Sequence, residues 1–87
     1  MQNQSETLYR EIIREIAGTL GYTEKNVPTQ INEADASKVL GVKATTLCNW
    51  RVTGRYALPY VKAGRLVRYR VADLAAWIAK RRTGAEG

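Results

Sequence analysis

The chain has 87 residues, 45% of them hydrophobic, with a formal net charge of +6 and an isoelectric point near 9.8. That is enough for one small core, and no apolar run reaches the roughly 18 residues needed to span a membrane. Cys48 is the single cysteine, which excludes an internal disulfide, and the absence of histidine removes the usual zinc sets and general bases.

No phosphate loop or nucleophile elbow occurs, so no enzymatic chemistry, metal or cofactor is expected. The start, MQNQSETLYREII, lacks the basic and apolar regions of a secretory leader, and a cytoplasmic protein is expected. The charge is unevenly placed. Residues 1–37 carry three basic and six acidic side chains, net −3, whereas residues 38–87 carry eleven basic and two acidic, net +9. A field concentrated in one part of a domain is what a polyanion-binding face requires.

In chain order, the first element expected is an amphipathic helix from Glu6 to Leu20, capped by Ser5 and ending near Gly18 and Gly21. Leu8, Ile12, Ile16 and Leu20 recur every four residues and form one apolar stripe. Residues 22–30, with Pro28 and many polar side chains, read as a connector. Asn32 then suits the N-cap of a helix from Glu33 to Leu40, with the Asp35 carboxylate favourable in its first turn. Gly41 permits a tight turn, and a second helix follows from Ala44 to Val52 with Leu47 and Trp50 inward. Small Ala36 and Ser37 lie where the two helices approach. The pattern is helix, turn, helix, although a plain αα-hairpin serving only as core fits this segment as well.

Beyond Pro59, β-branched and aromatic residues around Gly64 read as a two-stranded hairpin. Period two puts Val67 and Tyr69 on one face and Leu66, Arg68 and Arg70 on the other. A last helix is expected from Val71 to about Arg82, with Asp73 early and Lys80, Arg81 and Arg82 at its end, before a frayed tail over residues 83–87.

From Ile31 to Ile78 the chain resembles the winged helix-turn-helix family of phage and integrative-element excisionases and AlpA-like regulators, relatives of the MerR DNA-binding domain. The resemblance rests on Ala36, Leu40-Gly41-Val42, Thr46-Leu47, Trp50-Arg51, Gly54-Arg55, Pro59-Tyr60-Val61-Lys62, Gly64-Arg65, Val67-Arg68-Tyr69-Arg70, Asp73-Leu74 and Ala76-Trp77-Ile78. Lys43 departs from the Ser or Thr usual at the cap of the recognition helix, and Leu66 from a basic or small residue. The expected fold is mainly α with a small β-hairpin: an N-terminal helix and connector over residues 1–30 and a winged helix-turn-helix over residues 31–82.

The resemblance implies that the 44–52 helix enters the major groove of double-stranded DNA and that the hairpin lies on the backbone or in the minor groove. Base reading then falls to Ala44, Thr45, Cys48 and Asn49. Asn pairs with adenine through two hydrogen bonds, and a Thr methyl touches thymine. Backbone contacts fall to Lys43, Thr46, Arg51, Arg55, Lys62, Arg65, Arg68 and Arg70. Against this stands the ordinary reading, in which Thr45 and Asn49 are solvated, Cys48 is a small surface residue, and the arginines are a plain strand face. A like-charged row that close is unfavourable without an anion. Trp50, Trp77 and Tyr69 are expected in the core.

The family further implies a recombination directionality factor, which bends DNA beside an integrase, or an AlpA-type transcription activator. A protein-interaction module for replication or packaging is the third possibility. Head-to-tail self-association on DNA is implied too, with the stripe Leu8, Ile12, Ile16 and Leu20 and the outward Leu66 as candidate contacts. The alternative for the stripe is packing on its own domain.

Overall fold

A computed structural model describes residues 4–81. Four helices and a small sheet follow in the order α1 (Gln4–Leu20), β1 (Gln30–Asn32), α2 (Glu33–Leu40), α3 (Ala44–Thr53), β2 (Val61–Ala63), β3 (Leu66–Arg70) and α4 (Val71–Lys80). The sheet is antiparallel with strand order β1-β3-β2. The architecture is that of a winged helix-turn-helix, mainly helical.

Helix α1 starts at Gln4, so Ser5 lies inside its first turn and not at the cap position expected for it. It ends where Gly21 adopts φ +84° and the Tyr22 amide donates to the Ala17 carbonyl at 2.8 Å. Its apolar stripe answers the question left open above. Ile12 and Ile16 are 1% and 2% exposed, inside the common core, and Leu8 and Leu20 pack against it. The helix lies mainly on α4 and secondarily on α2. Burying the two isoleucines contributes about 3–6 kcal/mol together. Ile12 and Ile16 are therefore not a free surface for self-association, because their apolar area is already covered, and Leu8 and Leu20 are partly covered.

The connector ends in a strand that was not expected. β1 is three residues, QIN, with only Ile31 buried, too short to display a period of two. It pairs with β3 in the register Ile31 to Tyr69 and Asn32 to Arg68, and the Val71 amide continues the ladder to the Thr29 carbonyl at 2.9 Å. The hairpin thereby becomes a three-stranded sheet whose central strand is β3.

α2 begins as its sequence requires: Asn32 Oδ1 accepts from the Asp35 amide at 2.8 Å. Its end is set by Gly41 at φ +73°, a left-handed residue that L side chains avoid, with the Val42 amide bonded to the Ser37 carbonyl. Ala36 and Ser37 are buried, and the Ser37 hydroxyl is satisfied by the Ala34 carbonyl at 2.6 Å. α4 ends at Lys80, earlier than expected. Arg82 and the tail over residues 83–87 lie outside the described residues. The core gathers Ile12, Ile16, Ile31, Ala36, Leu47, Tyr69 and Leu74 from six of the seven elements, all but β2. Among the described residues no helix is long and apolar enough to cross a membrane.

Candidate nucleic-acid interface

α3 is held to the domain by few groups, and this leaves most of its surface outside. Leu47 is its one buried side chain. Trp50 joins an aromatic cluster, 4.6 Å from Tyr56 in edge-to-face geometry and 6.3 Å from Trp77. The Trp77 indole donates to the Tyr56 carbonyl at 3.3 Å, tying the loop after α3 to α4. Trp50 and Trp77 are half-buried and Tyr69 is fully buried. The helix starts at Lys43 with no side-chain cap bond, as the departure from Ser or Thr implies, and closes at Gly54 with φ +68°.

With Leu47 inward, Ala44, Thr45 and Asn49 are exposed, as base reading would need, while Thr46 and Cys48 are half-buried. The same outer face continues to Val52, which is 72% exposed, and to Thr53, whose hydroxyl donates to the Asn49 carbonyl at 2.8 Å. Neither was among the expected reading residues; Thr53 lay beyond the expected end of the helix at Val52, whereas Val52 lay within it. The spacing 45, 49, 52 and 53 would have identified them once a further residue of helix was allowed.

Arg51 is placed differently from expectation. Its side chain is 15% exposed, and it donates from Nε to Glu33 Oε2 at 2.9 Å and from Nη2 to Glu33 Oε1 at 3.3 Å. Nη2 also reaches Cys48 Sγ at 3.3 Å, and the guanidinium stands 5.9 Å from the Tyr60 ring centre. The buried Tyr69 hydroxyl donates to the same Glu33 Oε2 at 2.7 Å. One carboxylate at the start of α2 thus joins α3 and β3. The Arg51 bond, foremost, holds the Glu33 carboxyl below its ordinary range, against the opposing effect of burial, and the Tyr69 bond adds to it. Burial first, then the Glu33 bond, pushes the Tyr69 phenol up. Glu33 also holds the Arg51 guanidinium in its charged form. Sequence reading missed Glu33, since an acidic residue in a first helical turn has its own local reason to be there.

In the wing, the register sets Arg68 opposite both Asn32 and Val61, Arg70 opposite Gln30, and Leu66 opposite Ala63. These residues share the outer face of the sheet. Lys62 faces Val67 across the ladder and so lies on the other face, the one that carries Tyr69 into the core. Arg65 sits in the turn beside Gly64, whose φ is +61°. Cations therefore occupy both faces and the tip of the wing. Leu66, 58% exposed, is at that tip.

No acidic residue occurs between Asp35 and Asp73, a span with eight basic ones. Among the described residues, ion pairs engage Arg14 with Glu24 and Arg51 with Glu33, and Lys43, Arg55, Lys62, Arg65, Arg68 and Arg70 form none. Arg55 lies over the Tyr56 ring at 5.4 Å. Six uncompensated cations beside an exposed helical face can bind a duplex: cations to phosphates, Thr45, Asn49 and Val52 to base edges. Among the described residues no carboxylate or thiol cluster could hold a metal.

Residues 32–82, more than half of the chain, match the family model for a helix-turn-helix domain. A search among curated proteins finds no match. The matched segment runs from the Asn32 cap through the reading helix and the wing to the end of α4, so the chain belongs to this helix-turn-helix domain family and is a DNA-binding protein of that type.

Proposed function

We propose that the protein is an excisionase, a recombination directionality factor of a phage or integrative element, which binds and bends duplex DNA so that an integrase runs excision. It carries out no chemistry itself. The observation that supports this reading is the set of cations without an ion pair among the described residues, Lys43, Arg55, Lys62, Arg65, Arg68 and Arg70, which flank the reading helix and line the wing. α3 lies in the major groove with Ala44, Thr45, Asn49 and Val52 toward the bases, and the wing clasps the adjacent backbone. If about four phosphates are neutralised, log K falls against log salt with a slope near −3.6.

One short helix and one wing bury only about 600–1,000 Å² of protein surface, so a unique site needs several copies side by side. With Ile12 and Ile16 of the α1 stripe consumed by the core, contacts between copies fall to the winged part, where Leu66 and Val61 are exposed. An AlpA-like activator would use the same DNA contacts with a different partner. The test combines footprinting on direct repeats of a site selected from random duplexes with an integrase-dependent excision assay. Stepwise protection and stimulated excision support the proposal. Promoter activation without any effect on excision would favour the activator instead.

A further inference from the structure

We propose that Glu33 withholds Arg51 from DNA phosphate, so that the reading helix grips duplex DNA of any sequence less tightly than its cation content would allow. The inference rests on the DNA-binding reading and adds a role for a residue that touches no base.

Arg51 is on the reading helix, beside the half-buried Cys48 at the border of its outer face. It would add one cation to the phosphate grip if free. The Glu33 carboxylate engages two of its nitrogens side-on, the geometry by which a guanidinium also takes a phosphate. Carboxylate and phosphate are thus competitors for one donor fork. Glu33 is fixed for that competition by its position in the first turn of α2 and by the Tyr69 hydroxyl on Oε2. Arg51 in turn has somewhere to go: it borders an open cavity of about 130 Å³ shared with Trp50, Gly54 and Tyr60. A withheld cation lowers binding to every sequence equally, whereas base contacts from Thr45, Asn49 and Val52 act only at the cognate site. The ratio of the two affinities is therefore unchanged, and what falls is the absolute hold on non-cognate duplex.

The test measures binding of a mixed-sequence duplex of about 30 base pairs by fluorescence anisotropy at several salt concentrations. Glu33→Gln keeps the shape and one acceptor but removes the charge. It is expected to bind this duplex roughly five- to tenfold more tightly near 0.1 M salt, with a slope steeper by about one. The double variant Glu33→Gln with Arg51→Gln should return to the wild-type slope, and Arg51→Gln alone should leave it unchanged. Loss of fold moves affinity the other way, and thermal unfolding followed by circular dichroism checks each variant. An unchanged slope in Glu33→Gln overturns the proposal. So does a steep slope that persists in the double variant, since Glu33 would then act by its own repulsion, or a shallower slope in Arg51→Gln alone, which speaks even if Glu33→Gln does not fold. A wild-type protein whose binding ignores salt would overturn the DNA-binding reading itself.

Discussion

Tyr69→Phe removes one hydroxyl from the centre of the molecule and nothing else. The ring is 1% exposed, and its Oη donates to Glu33 Oε2 at 2.7 Å. A hydrogen bond to a charged acceptor contributes about 1.5–3 kcal/mol when no water replaces it. The Glu33 side chain keeps 20% of its exposure, so solvent recovers part of the loss, and about 1–2 kcal/mol of destabilisation is expected. For so small a domain the urea dependence is near 1 kcal/mol per molar, which places the midpoint about 1–2 M lower. The effect has a pH signature. Glu33 has a folded pKa below its unfolded one, so its contribution is present above the ordinary carboxylate value and is lost as pH falls through the folded value. Tyr69 has a folded pKa above its unfolded one, so its contribution is present below about pH 10 and is lost as pH rises beyond it. Urea titrations of both proteins across this range should show the gap between them narrowing at each end. A midpoint unchanged at neutral pH, or a gap of constant size down to acid pH, would refute the Glu33-centred network.

Asn49→Ala and Val52→Ala should each weaken binding to a selected site by about 1–3 kcal/mol and leave mixed-sequence binding intact, whereas Arg68→Ala should weaken both and make the salt slope shallower by about one; competition binding separates the two classes. Ile16→Ala should cost about 2–5 kcal/mol of stability by cavity formation, read as a lower urea midpoint, with the steepness of the DNA-binding curve unchanged while the protein is folded. Ala57 stands at φ +51° in the loop after α3, so Ala57→Gly relieves about 1–2 kcal/mol of left-handed strain against a smaller entropic cost, and a slightly raised melting temperature is expected.

Local chemistry was legible where one or two residues decide the backbone. Asn32 caps α2, and Gly41 and Gly64 sit at positive φ at the turns expected of them. Periodicity identified the buried stripe of α1 but not what it packs on, because a helical wheel shows a face and no partner. β1 escaped notice since three residues with one apolar side chain carry no period, and its pairing depends on β3, more than thirty residues away. Arg51 was misplaced for a related reason. Rotation about α3 put it outside, yet α3 buries only Leu47, and the Glu33 pair supplies what apolar contact does not. That pair joins residues 18 apart through a turn, a distance no local pattern reports.

The most direct measurement is a map of backbone amide shifts in the labelled protein as a mixed-sequence duplex is added at low salt. Expected are changes confined to Lys43–Thr53 and to the wing from Lys62 to Arg70, with α1 undisturbed, and their disappearance as salt is raised. Changes centred on α1 and α4, or none at any DNA concentration, would contradict the assignment of the reading helix and wing as the DNA-binding surface.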